Sequence, residues 1–393
     1  MAQVEHRRVD PSALVVVWAS LVSIGLVMVA SASVSLDRPV LSENVWTTPL
    51  GRQVIFAAIG FGLMALTAKV SVKALSSAGI RKAACWTLYG VSVALLVAAL
   101  IPGLADPHRG SHRWLRVGGL GLDIGLQPSE LAKLALVGTL AWFFGERPHH
   151  ARTFWRGFVP AALSAGVVVG LVGKENLGTA ALLACVTGAM LLVGGCRMIH
   201  FLPAALGGAG GLVGLVYAAS YRMERLQAFG NYWDDPMGKG YQPIQSLTAI
   251  ATGGWFGTGL GAGTQKFGYL PESHTDFVFA ILCEETGIVG AGLVIALFCA
   301  FGWLGLRVML SARSPFERML AFGLTLVVIL QALVNLAVVT VLMPTTGVPL
   351  PMISAGGSGL LTVSVGVGVL AAIAYRGQHG VVHRLEPAGP AWT

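Results

Sequence analysis

Between Tyr269 and Gly290 the chain reads YLPESHTDFVFAILCEETGIVG, which sets His274 and Asp276 at the threshold of a long apolar run. An ionisable side chain at the centre of such a run costs roughly 2.5–3.5 kcal/mol to insert, so at its end it normally lines water or a ligand. A carboxylate so placed can act as a general base on a bound hydroxyl. Thr275 or Asp276 also suits a helix N-cap, where Asp is preferred at the positive end of the dipole. Continued as a regular helix, the run puts Ala280, Cys283 and Gly287 on the face of Asp276, Glu284 about 80° away and Glu285 opposite. Glu284 is therefore expected to line a cavity, and Glu285 to meet a buried cation or backbone on a neighbouring helix.

Two further clusters carry chemistry. RGSHRWLRVGG holds Arg113 and Trp114, and QPSELAK then opens another apolar run with Pro128 at the first helical position, Glu130 in the first turn and Lys133 three residues on. A helix N-terminus beside a lysine can hold a phosphate or pyrophosphate. An interfacial salt bridge with a snorkelling lysine fits equally well, as does an aromatic-belt role for Trp114. The third cluster, MPTTGVPLPMISAGGSG, joins two apolar runs; Pro349, Pro351, Gly356 and Gly357 forbid a regular helix ahead of Ser358. Broken backbone at membrane depth is tolerated only against protein or a wet cavity, so this segment is expected to pack beside the pocket. Arg222, Arg225, Asp234, Asp235 and Lys239 read as solvated charges. GGWFGTGLG reads as tight turns or close helix contacts, with no Walker lysine behind it.

The elements that must position these clusters follow from composition. With 393 residues, 55% hydrophobic and 11% charged, and a mean hydropathy of +0.73, the chain is expected to be an all-α polytopic membrane protein. Spans of about 20 residues fall at roughly 12–33, 52–70, 84–102, 128–145, 156–173, 177–196, 201–220, 277–303, 318–342 and 355–375. No repeat or linker interrupts them, so residues 1–393 read as one membrane domain with short tails at 1–11 and 376–393. More than half of the 26 Lys and Arg fall in short loops that become cytoplasmic if the N-terminus is inside. Both termini are thus placed in the cytoplasm, and the long loops 103–127 and 221–275 outside. The net charge of +8 is topological, and a nucleic-acid partner is excluded for want of a basic soluble face. The five cysteines form no CxxC pair and read as packing residues. The apolar N-terminal run is too long for a signal peptide and reads as a retained span.

With these residues assembled, the chain resembles the SEDS family of bacterial shape, elongation, division and sporulation proteins, which includes FtsW, RodA and SpoVE. The match spans the first to the last run through RWLRVGG with QPSELAK, GYQPIQSLTAIATGGWFGTGLG, QKFGYLPESHTDFVFA with CEETG, and TGVPLPMISAGGSG. QKFGYLPESHTDF and Val29-Ala30-Ser31-Ala32-Ser33 lean towards FtsW, and GVPLP towards RodA. The resemblance implies a peptidoglycan glycosyltransferase of the bacterial cytoplasmic (inner) membrane, polymerising lipid II at the outer face. Its implied partners are a class B penicillin-binding transpeptidase and other divisome or elongasome membrane proteins. It puts the catalytic aspartate at Asp276, the essential loop tryptophan at Trp114 and the pocket acid and lysine at Glu130 and Lys133. Arg113, His274, Thr275, Gln245 and Ser358 join them as substrate-binding candidates. No cofactor is called for; a divalent cation could share the leaving-group charge, but no motif demands one, and no metal ligand is assigned. A lipid II flippase or a non-catalytic scaffold are the rival functions. The chain departs from the family pattern at Lys174-Glu175-Asn176, where Gln-Pro-Asp is common, at Ala355, where tyrosine is usual, and in a longer stretch from Gly118 to Leu126.

Overall fold

A computed structural model describes residues 9–33, 48–101, 105–108, 111–117, 124–217, 223, 229–230 and 232–385. The helices are α1 (Pro11–Ala32), α2 (Pro49–Ala74), α3 (Ala78–Ala99), α4 (Pro128–Glu146), α5 (Val159–Glu175), α6 (Leu177–Val193), α7 (Phe201–Tyr217), α8 (Tyr241–Gly253), α9 (Val278–Ser311), α10 (Pro315–Val339) and α11 (Gly357–Leu385). Seven membrane-length apolar helices occur among the described residues: α1, α2, α3, α5 with the π-turn ahead of it, α9, α10 and α11. Leu177–Val193 and Met198–Gly208 are shorter apolar helices. All ten expected spans thus appear as helices, and the chain is a multi-pass membrane protein.

α4 and α10 form the centre. α4 is buried almost all round, from Pro128 to Phe144, as expected of a helix enclosed by others. It packs on α3 and α10, while α10 also meets α6 and α9, and α2 lies along α11. Small residues permit the close crossings: a methyl group on Gly323 would come within 2.6 Å of Val137.

Two elements were not foreseen. Residues 105–126 are not plain loop: β1 (Ala105–His108), β2 (Ser111–Val117) and β3 (Ile124–Leu126) form an antiparallel sheet in the order β1-β2-β3, and β2 reaches α3, α4 and α5. The second is α8, which packs against α9 inside what reads as a long loop.

α9 is broken. Gly287 adopts φ 66°, ψ −166° in mid-helix, a conformation natural only to glycine. The groups freed by the break are taken by residues 254–259. Ile288 and Val289 donate their N–H groups to the carbonyls of Gly254 (3.0 Å) and Trp255 (3.2 Å), and Thr258 and Gly259 donate to those of Glu284 (2.9 Å) and Glu285 (3.1 Å). Gly253 and Gly257 make the approach possible, since a Cβ on either would overlap the carbonyls of Cys283 and Glu285 respectively.

The segment between α10 and α11 is irregular, as its prolines require, and three buried amides satisfy its backbone. Gln331 Nε2 donates to Pro349 O (2.9 Å), Asn335 Nδ2 to Val348 O (2.9 Å) and Gln53 Nε2 to Ser354 O (3.3 Å). This is how non-helical chain survives among apolar helices. Opposite it along α10 and α11, Arg376 pairs with Glu317 (3.0 Å) and donates to the carbonyl of Val72 (2.8 Å), joining α2, α10 and α11.

Candidate functional site

A cavity of about 800 Å³ opens where the N-terminal turns of α4, α8 and α11 meet the turn before α9 and the irregular 343–356 segment. Its volume falls within the ~300–1,000 Å³ usual for ligand pockets. Asp276, Thr275, Trp114, Glu130 and Ser358 all line it, together with Pro349, Pro351 and Gly356. Five segments distant in sequence therefore converge on one space.

Asp276 sits in a turn rather than in the helix. α9 begins at Val278 with Phe277 as its N-cap and no side-chain capping bond, so neither Thr275 nor Asp276 is the cap that the sequence allowed. Thr275 instead donates its hydroxyl to Glu272 Oε2 at 2.7 Å. Glu272 itself lines the cavity and was missed as a site residue. Its φ of 58° is one of three positive values at non-glycine residues among those described, the others being Val341 and Met352. All three residues border the cavity, and backbone strain of this kind gathers at functional sites.

Trp114 is mounted on β2, with Asp106 opposite on β1, and its ring lies over Gly125 of β3. A Cβ there would be 2.8 Å from the indole. Arg113 belongs to the same strand, but its side chain lies outside the described residues, as do Arg222, Arg225 and residues 118–123 of the longer connection.

Glu130 and Lys133 form an ion pair of 2.8 Å, both nearly inaccessible to solvent. Glu130 faces the cavity and its Oε2 has no hydrogen-bond partner; the buried Ser358 Oγ on the same wall has none either. Buried polar atoms are normally satisfied, so these two are free to meet a ligand. Lys133 does not line the main cavity as expected. Its ammonium is drawn beneath the floor, between Glu130 and Gln331 Oε1 (2.6 Å), because a buried charge needs partners on every side.

Three more expectations are corrected. Glu284 is fully buried and lines no part of the cavity; Oε1 accepts from Thr264 N–H (2.7 Å) and Oγ1 (3.0 Å), and Oε2 from Gln265 N–H (3.2 Å). The helical projection did not foresee the 258–266 loop that covers it. His274 is not part of the lining; its carbonyl accepts from Ala355 N–H at 2.9 Å. Gln245 lies one turn too far along α8, whose first turn supplies Tyr241, Gln242 and Pro243 to the cavity. Glu285 meets a buried cation, Lys266, at 2.8 Å, and accepts from Ser31 Oγ of α1 (2.6 Å) and Gly261 N–H (3.1 Å). Gly357 opens α11.

Sequence reasoning also missed Gln331, Asn335 and Lys239. The first two are amides inside an apolar span, a signal that marks functional positions. Lys239 is exposed and is the only cation among the described lining residues. Among the described residues no three His, Cys, Asp or Glu side chains converge as metal ligands.

Two of the departures from the family pattern, Asn176 and Ala355, have local accounts. Asn176 caps α6 by accepting Thr179 N–H at 3.0 Å, a task Asn and Asp perform equally. Ala355 contributes its backbone N–H.

The profile of the FtsW, RodA and SpoVE family, described as "Cell cycle protein", matches residues 11–379. Stage V sporulation protein E of Bacillus subtilis (strain 168) is 39% identical over 362 residues, covering 91% of this chain and 94% of the relative. The probable peptidoglycan glycosyltransferase FtsW of Geobacter sp. (strain M18) is 36% identical over 373 residues, covering 94% and 98%. Among solved structures, one on the structural coordination of polymerization and crosslinking by a peptidoglycan synthase complex superposes with a TM-score of 0.70 at 28% identity, covering 93% of this chain and 97% of that one. RodA of Thermus thermophilus superposes with a TM-score of 0.62 at 27% identity, covering 92% and 95%. The chain belongs to the FtsW, RodA and SpoVE family.

Proposed function

We propose that this protein is a peptidoglycan glycosyltransferase that polymerises lipid II at the outer face of the cytoplasmic membrane, with Asp276 as general base. The observation that carries the reading is the meeting of Asp276, Trp114 and Glu130, from three separate motifs, in one cavity at the ends of apolar helices. The 4-hydroxyl of the acceptor sugar gives its proton to the Asp276 carboxylate as its oxygen bonds to C1 of the donor sugar. The C1–oxygen bond to undecaprenyl pyrophosphate breaks with inversion, and the pyrophosphate leaves with the electron pair. A positioned base contributes about 10²–10⁴-fold. Negative charge developing on the leaving group calls for donors aimed at it, and Lys239 and the N-terminal turns of α4 and α11 border the space where it would form. Glu130 Oε2 accepts from a sugar hydroxyl or amide, and Trp114 offers a flat apolar face to a sugar ring.

A flippase needs ionisable groups spread along a path through the spans. Among the described residues Glu130 with Lys133, Glu285 with Lys266 and Glu317 with Arg376 are instead paired, and Glu284 is hydrogen-bonded to the 258–266 loop, which favours a fixed site. Both termini lie in the cytoplasm in this reading, and a class B penicillin-binding transpeptidase is the partner that crosslinks the product.

The test is polymerisation of fluorescent lipid II by the purified protein with its transpeptidase. Asp276→Ala is expected to abolish glycan ladders while leaving folding and partner binding intact; ladders from the variant would move the base elsewhere.

A further inference from the structure

Three consecutive carbonyls around Asp276 are each held by a different donor. His274 O accepts from Ala355 N–H at 2.9 Å, Thr275 O from Ser354 Oγ at 2.6 Å, and Asp276 O from Asn335 Nδ2 at 2.8 Å. α9 starts its own ladder one residue later, at the Phe277 carbonyl, which accepts from Ala280 (2.9 Å) and Ile281 (3.4 Å). The turn carrying Asp276 is therefore fixed from α10 and from the 343–356 segment.

We propose that Asn335 and Ser354 are positioning residues for Asp276, fixing the main chain from which its carboxylate reaches into the cavity. This deepens, and rests on, the assignment of Asp276 as the base. Asn335 is fully buried, and its one amide nitrogen bridges Asp276 O and Val348 O. Two carbonyl acceptors can face only the NH2 end of the amide, so the network itself fixes its orientation. Ser354 Oγ accepts from Leu350 N–H (2.8 Å) while donating to Thr275 O, so each bond polarises the other. An Asp side chain has two torsions. With its backbone held at its own carbonyl and the two before it, the carboxylate is confined to a few rotamers, which is the pre-organisation a base requires. Neither Asn335 nor the Ser354 hydroxyl needs to touch substrate for this.

The experiment measures initial rates of fluorescent lipid II polymerisation for the full chain with its transpeptidase, for Ser354→Ala, Ser354→Thr, Asn335→Leu and Asp276→Asn. Ser354→Ala and Asn335→Leu are expected to lower kcat by about 10- to 100-fold with KM unchanged, and Ser354→Thr, which keeps the hydroxyl, to recover most of kcat. Wild-type kcat in the folded variants, a loss confined to KM, or a Ser354→Thr protein as slow as Ser354→Ala would each overturn the proposal. If Asn335→Leu fails to fold, the two Ser354 variants decide alone. Asp276→Asn separates the two levels: if it still polymerises, the base assignment fails and positioning with it. If it is inactive while Ser354→Ala and Asn335→Leu run at the wild-type rate, only positioning fails.

Discussion

Gln331 accepts a hydrogen bond from Lys133 Nζ at 2.6 Å and, through its other amide atom, donates to the carbonyl of Pro349 at 2.9 Å. The lysine of the QPSELAK motif thus acts on the cavity from below, through the irregular segment. Lys133→Met is expected to destabilise the protein by about 3–5 kcal/mol, because it leaves Glu130 as a buried, unpaired carboxylate. Thermal unfolding in detergent measures this. Glu130→Gln combined with Lys133→Met should recover most of the stability but not the polymerase activity.

The Trp114 ring rests on Gly125, so the smallest added side chain reaches the site. Gly125→Ala should displace the indole and raise KM for lipid II, with a smaller effect on kcat and little on unfolding temperature. A wild-type KM would show that Trp114 does not contact substrate in the way its place in the wall suggests.

Lys239 meets the cavity from solvent, so its attraction to an anionic substrate is screened. Lys239→Ala should raise KM by roughly two- to fivefold without changing unfolding. Added salt should raise the wild-type KM towards that of the variant; parallel salt curves for the two proteins would argue against the contact.

Glu285 and Lys266 are both fully buried, and Ser31 of α1 joins them. Glu285→Ala should cost several kcal/mol by stranding the ammonium, lowering the unfolding temperature more than Glu285→Gln, which still offers an acceptor. Equal unfolding temperatures for the two variants would contradict this account.

The spans were legible because roughly 20 apolar residues in a row have few other uses, and the seven membrane-length helices follow that rule. The cavity was legible only in part. Asp276 and Glu130 announced themselves as carboxylates at span ends, and Trp114 only through the family resemblance, whereas Glu284 was misplaced because projecting a helix tells nothing of what covers it. β2 is too short to show a period, and α8 is short and interrupted by Pro243. Asn335 and Gln331 were hidden in a span whose apolar character drew the attention, though an amide in that setting is itself a signal.

The break at Gly287 is closed by main-chain groups of residues 254–259. Any residue except proline carries the same N–H and C=O, so substitutions at the exposed Trp255 and Phe256 should leave the joint unchanged. Gly253, Gly257 and Gly287 are exceptions because a single methyl group there would push two backbones apart, and Gly254 and Gly259 because their φ values of 53° and 105° disfavour any side chain. The joint is thus encoded largely by the absence of side chains, and only its exposed positions are free to vary in composition while the geometry the glycines allow stays fixed.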